Sequence, residues 1–494
     1  MLDIKKNITL FIILLIGFVL RLTAIFTDPF LHPWDERFHA LVARNLMDHP
    51  LIPVLRANPV TDNYDKFIWC CNHVWLHKQP LFMWQMALSM KVFGVSEWSM
   101  RLPSAVMGTI LIFLTYRIAI LLTKNRTVAL FSALMLAVSG FHLQLIAGMH
   151  GMDHNDVAHG YYVLASIWTY CEYHRNQKWY WVVLTGVFSG AAILNKWLTG
   201  LLVYLIWGVV ILITGLQKSS VGKQVIHTFL SLFFCFPVFL PWQIYILDRF
   251  PDLANFVYDF NKRHITEALE GHTGDNSFYL DHLVDLIGKY LYYFIPVGLL
   301  LSFIKKEISG RLNAGIIAGM LFVFWFFSVF VKTKVDTYVF FIVPLGLIYI
   351  SLGLNYIFEK LGKSRLVLAA LVLATVYLSL NPSWFINYLS PQNNERNIRI
   401  YNTEIYKALN RLLPPNVKTV VNMNEFEDID VMFYNEGITA YHFTMTEQDF
   451  EELKVKQIPV GIFIPHGKYI WPKYVEDYPY LYPIDQELKN LDNK

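Results

Sequence analysis

The residues with the most chemistry in them lie in two short polar stretches. The first is His32–Ala40, HPWDERFHA, which follows the apolar run Ile8–Phe26 after a short spacer. Asp35, Glu36 and Arg37 therefore stand at the mouth of a membrane span, where ionisable groups are costly and mark function by default. The bland alternative is a solvated loop with a helix start at Asp35. The second stretch is GMDHND, in which Asp153 and Asp156 are three apart and share one helix face. Carboxylates at a membrane-level cavity suit general-base work on a hydroxyl or amine, with a pKa tunable by burial. Helix capping is the alternative for Asp156.

Cations accompany these acids. Lys78, in HKQPLFMW, precedes an aromatic amphipathic run. It either snorkels to headgroups or binds a lipid phosphate as a point charge. Lys332, Lys334 and Tyr338, in KTKVDTY, form a second basic and phenolic cluster on a short turn. His150 and His154 are four apart and with Asp153 form a weak metal-ligand pattern. The expectation is that no cofactor is required, with a divalent metal possible.

These groups must be positioned by a membrane scaffold. Of 494 residues, 55% are hydrophobic and only 16% charged, where a soluble chain carries about a quarter charged. The net charge of +3 gives no reason to expect nucleic acid. The expected fold is an all-α polytopic membrane protein with about eleven or more transmembrane helices and a small C-terminal α/β extramembrane domain. Spans are expected near 8–26, 100–122, 127–147, 155–172, 179–195, 197–215, 225–247, 284–304, 313–331, 336–357 and 365–384. Lys196 interrupts the apolar stretch 179–215. The first span reads as a retained anchor. Basic loops, including Lys5–Lys6, Lys305–Lys306 and Lys360–Arg365, fall on one side, which is the cytoplasm. The loops 27–99 and 248–283 and the tail then face outward, in the periplasm or exterior of a cell envelope such as a bacterial inner membrane.

The domains expected are 1–385, transmembrane, with interfacial helices such as Phe82–Phe93 in the loop 27–99, and 386–494, soluble. In the tail, Thr403–Leu413 and Glu447–Lys456 read as helices and Val417–Val421 and Pro459–Ile464 as strands. Cys70 and Cys71 are adjacent, and Cys171 and Cys235 lie in or beside apolar runs, so free thiols are expected.

Several of these pieces occur in a telling order. W-D-E with an alanine five residues after Asp35 is followed by K-x-P-L-x-x-W at Lys78–Trp84 and by F-G-x-S-E-x-x-x-R-L-P-S at Phe93–Ser104. Asp156 precedes Tyr161 and Tyr162; Lys196 and Gly200, Pro241–Trp242, His272 with Ser277–Tyr279, and KTKVDTYVFFIVPL come after. Together, over about residues 8–385, these resemble the superfamily of protein O-mannosyltransferases and lipid A aminoarabinose transferases, which has the GT-C fold. The resemblance implies a sugar taken from a polyprenyl phosphate and passed, with inversion, to a lipid, glycan or protein acceptor at the outer face. It implies Asp35 as principal catalytic carboxylate and Asp156 as a second acid, with Glu36 a further candidate. Lys78 and Tyr338 would hold the donor phosphate, with Arg37 and Lys334 as further candidates; Asp153, His154 and His272 would line the acceptor or pocket. The chain departs from the pattern at Phe38, where the aminoarabinose transferases carry Arg, and at His77, where they carry Glu. A membrane transporter or flippase would also place ionisable groups in a membrane cavity, but no inverted repeat is visible. A non-catalytic assembly subunit is a third reading, and Asp35, Asp156 and Lys78 together argue against it.

Overall fold

The computed structural model describes residues 4–61, 72–149, 154–215, 219–443, 445–464 and 471–490. Trp69, Cys70, Cys71, His150 and Asp153 lie outside them. The chain forms two compact units, one of Met1–Ala24, Ser104–Ala147 and Met152–Pro382, the other of Ile25–Pro103, Gly148–Gly151 and Ser383–Lys494.

The first unit is helical. Among the described residues seven helices are long and apolar enough to cross a membrane, or eight if the bent pair Arg126–Ala137 and Gly140–Ile146 is one span. That count is lower than eleven for local reasons. The helix His154–Asn176 forms where a span was expected, but it carries His154, Asn155, Asp156, His159 and Glu172, all buried. Protein neighbours shield it, so it needs no apolar surface of its own. The expected span 284–304 is broken into Leu283–Ile287, Leu291–Tyr293 and Phe294–Ile304. The stretches expected as 179–195 and 197–215 are joined through a 3₁₀ turn at Trp197–Leu201 and count as one helical run, Trp179–Thr214.

Small residues allow this unit to pack tightly. Gly186 and Gly190 on the helix Trp179–Lys196 face the backbone carbonyls of Ser231 and Cys235 on Ser219–Arg249, and a Cβ at either glycine would collide with them. This is the small-xxx-small spacing by which membrane helices approach closely. Cys171 and Cys235 are free and buried.

The second unit holds two short helices from the first loop, Asp35–Leu46 and Leu81–Phe93, and the tail. The tail carries β1 (Thr419–Val421), β2 (Thr439–Ala440), β3 (Val460–Phe463) and β4 (Leu481–Ile484), all parallel in the order β2-β1-β3-β4. All-parallel sheets need both faces covered, and Val421, Tyr441, Phe450, Leu453, Val460 and Ile462 form the core that covers this one. The expected helices and strands appear at Asn394–Leu412, Thr419–Val421, Glu447–Val455 and Val460–Phe463. The tail does not cluster by itself, however. Residues 25–103 cluster with it, joined by polar ties: Arg44 donates to the carbonyls of Met432 and Phe433 at 2.7 and 2.6 Å, Arg56 pairs with Asp428, and Val60 N–H donates to the Tyr441 hydroxyl at 3.1 Å.

Candidate active site

The second unit builds its site around the first turn of the helix Asp35–Leu46. Trp34 precedes it at φ 64°, ψ −127°. Asp35 and Glu36 then occupy the helix N-terminus, where the macrodipole favours negative charge. Their surroundings give them different roles. The Asp35 carboxylate pairs with Lys78 Nζ at 3.1 Å, and both side chains keep a little exposure. Burial opposes ionisation of Asp35, but Lys78, with His39 and His77, outweighs it and holds the carboxyl below its ordinary range. Glu36 is fully buried. Its two oxygens take a fork from Arg101, Nε at 2.6 Å and Nη2 at 2.9 Å, and one also accepts the His32 backbone N–H at 2.6 Å.

Arg101 spends its remaining donors on the carbonyls of Ile25 (3.4 Å), Asp28 (2.8 Å) and Phe30 (2.6 Å). Asp28 is itself held by His32 at 3.2 Å, the Tyr388 hydroxyl at 2.7 Å and Arg396 at 2.7 Å. The loop before Asp35 is therefore a closed network, and Glu36 belongs to it. A catalytic role for Glu36 fits poorly, because both its oxygens are engaged and no solvent reaches it. Arg37, expected at the donor phosphate, turns instead to Asp430 at 3.2 Å, with both side chains buried. Burial, with Glu427 and Asp428 adding to it, pushes Asp430 up to about 8 against the pull of Arg37. Phe38 stacks on Trp75 at 6.3 Å, so this position is part of an aromatic core.

The first unit has a second constellation. Asp156, in the first turn of its helix, pairs with Lys196, and Lys196 Nζ lies 5.1 Å from the centre of the Tyr338 ring. The other Asp156 oxygen, buried, finds no protein partner among the described residues. Asn195 anchors the same turn by donating to Asn155 at 2.8 Å. Trp197, at φ 64°, ends the helix directly after Lys196. Lys196 was recognisable from sequence as a charge inside an apolar stretch, which calls for a partner; that the partner is Asp156 needed the fold.

The remaining candidates separate. Lys334 is buried and donates to the carbonyls of Phe327 (2.6 Å) and Ser328 (2.7 Å), so it stabilises the end of a helix. His272 is exposed; its backbone N–H donates to the Leu269 carbonyl at 3.0 Å and its carbonyl accepts the Lys334 N–H at 3.0 Å. His154 Nδ1 lies 2.8 Å from the Ser104 hydroxyl. Among the described residues no group of three His, Cys, Asp or Glu is disposed to hold a metal ion.

Comparison with known proteins gives these sites a context. Residues 77–245 match the family described as dolichyl-phosphate-mannose-protein mannosyltransferase, a stretch that holds Lys78, Asp156 and Lys196. An uncharacterized protein of Aquifex aeolicus is 30% identical over 121 residues, so the match spans only 24% of this chain and 23% of that relative. The fold is similar to that of ArnT from Cupriavidus metallidurans bound to undecaprenyl phosphate, with a TM-score of 0.65 over 92% of this chain and 90% of that one at 14% identity. It is also similar to the oligosaccharyltransferase AglB from Archaeoglobus fulgidus in complex with an inhibitory peptide and a dolichol-phosphate, with a TM-score of 0.56 over 89% and 64% at 12% identity. The fold is thus that of a multi-pass membrane protein similar to ArnT. The family match covers residues 77–245, less than half of the chain.

Proposed function

We propose that this protein moves a hexose or pentose from a polyprenyl-phosphate donor to a lipid, glycan or protein acceptor, by a single displacement with inversion at the anomeric carbon. The observation that carries the reading is the Asp35–Lys78 pair, a carboxylate and a cation in contact at 3.1 Å on a helix N-terminus. The acceptor hydroxyl or amine gives its proton to Asp35 as its oxygen or nitrogen bonds to the anomeric carbon. The polyprenyl phosphate departs from the opposite face, and Lys78 stabilises the charge that it takes away. A phosphate needs no general acid, unlike the sugar oxygen that a glycosidase must protonate.

The pair also supplies a way of timing the base. Without donor, Lys78 keeps the Asp35 carboxyl low, and so weakly basic. A donor phosphate competes for Lys78, and burial then raises Asp35 toward a useful basicity. Asp156 is assigned as the second essential acid, with Lys196 and Tyr338 as its setting. The chain crosses the membrane eleven times, with the Asp35 loop and the tail on the outer face of a cell-envelope membrane.

The test is donor affinity. Lys78→Ala removes a charge-assisted contact worth about 1.5–3 kcal/mol, so the apparent donor constant should rise roughly 10- to 100-fold. An unchanged donor constant would show that Lys78 only neutralises Asp35.

A further inference from the structure

One residue beside Asp35 stays half exposed. Trp34 is 53% exposed, although the residues after it, from Asp35 to Ala43, are buried. Its φ of 64° and ψ of −127° lie in a region that bulky residues avoid, and an exposed side chain gains nothing in the core to offset that. The turn is nevertheless held rigidly on both sides, by the His32 N–H on Glu36 and by Arg101 on the carbonyls of Asp28 and Phe30.

A second aromatic residue meets Trp34 from the tail. Phe426, also in a left-handed conformation at φ 62°, sets its ring 5.6 Å from the indole, with 50° between the planes. Phe38 at 6.2 Å and His442 at 5.3 Å in turn pack against Phe426. Two strained aromatic residues from opposite ends of the chain thus build one step, and its outer ring is open to solvent.

The reach to the chemistry is short. Adjacent Cα atoms are about 3.8 Å apart. A base stands about 3 Å from the atom it deprotonates, and that atom attacks from about 3–3.5 Å. Trp34 and Asp35 are consecutive, and the rings behind Trp34 continue toward Asp35 through Phe38, Trp75 and His77, so a sugar reacting at Asp35 lies beside the same aromatic cluster. One face of a pyranose presents C–H groups of partial positive charge, which suit the negative face of an aromatic ring.

We propose that Trp34, backed by Phe426, is the stacking platform for the pyranose ring of the donor, and so the element that recognises the sugar half of the lipid-linked substrate. The proposal rests on the assignment of Asp35 above. It also gives the tail a part in substrate binding, through Phe426.

The test compares two lipids on full-length protein in nanodiscs: undecaprenyl-phosphate-mannose and bare undecaprenyl phosphate. Trp34→Leu should weaken binding of the mannose-bearing lipid about 3- to 10-fold and leave bare undecaprenyl phosphate unchanged. Trp34→Phe should keep most of the affinity, and Phe426→Leu should show a smaller loss in the same direction. Equal losses for both lipids would make Trp34 a lipid anchor and overturn the platform, as would no loss in any variant. A wild-type protein that binds neither lipid would instead refute the polyprenyl-phosphate reading.

Discussion

Glu36 offers a sharp separation of structure from chemistry. Glu36→Gln removes the charge facing Arg101 but keeps the shape of the side chain. The fork of two bonds at 2.6 and 2.9 Å is lost as an ion pair, in a place where neither partner is exposed. Breaking a buried pair from one side costs about 3–5 kcal/mol, because the other charge stays buried without its partner. Domains hold only about 5–15 kcal/mol of stability in total. The variant should therefore unfold on the order of 10 °C lower in a thermal scan of the solubilised protein. Replacing both partners, Glu36→Leu with Arg101→Met, should recover most of the loss, since no charge is left stranded. Turnover per folded molecule should fall far less in either variant than in an Asp35 variant. A Glu36→Gln protein with wild-type melting but no turnover would refute the argument and return Glu36 to the chemistry.

Other outcomes follow from the same contacts. Asp430 is raised to about 8 chiefly by burial, so its contribution to stability is full below about pH 4 and is lost as pH rises through 8; Asp430→Asn should gain in melting temperature over wild type more at pH 8 than at pH 5. Lys196→Met should destabilise the first unit and abolish turnover, while Lys196→Arg keeps the pair with Asp156 and should retain folding; normal turnover in Lys196→Met would remove the Asp156 constellation from the reaction. Tyr338→Phe keeps the ring beneath Lys196 and should keep folding, so a weakened donor affinity in that variant reports a phosphate contact of the hydroxyl. A reporter fused after Lys494 should face outward and one within Leu361–Arg365 should face the cytoplasm; the reverse pattern would overturn the eleven-crossing arrangement.

Periodicity and composition made much of this legible. Long apolar runs read directly as helices, and the tail's alternation of helix and strand appears where it was expected, because each short segment carries its own local pattern. The helix His154–Asn176 shows where such reading falls short, because its polar residues are sheltered by neighbours that no local window contains. The site divides the same way. Asp35, Asp156 and Lys78 stood out as charges beside apolar runs. The partners that the acidic residues find, Lys196 for Asp156 and Arg101 for Glu36, are 40 and 65 positions away. Arg37 and Lys334 looked like phosphate ligands by charge alone, and only the fold places Asp430 against the first and backbone carbonyls around the second.

The central claim is that Asp35 accepts the proton of the acceptor. The direct measurement is sugar transfer from a purified polyprenyl-phosphate donor by wild type and by Asp35→Asn, with donor binding measured in parallel. A positioned base contributes about 10²–10⁴ in rate, so transfer should fall at least about a hundredfold while donor binding persists. Near-normal transfer by Asp35→Asn would contradict the assignment, and movement of lipid or solute across liposomes with no sugar transfer in the wild type would contradict the enzyme itself.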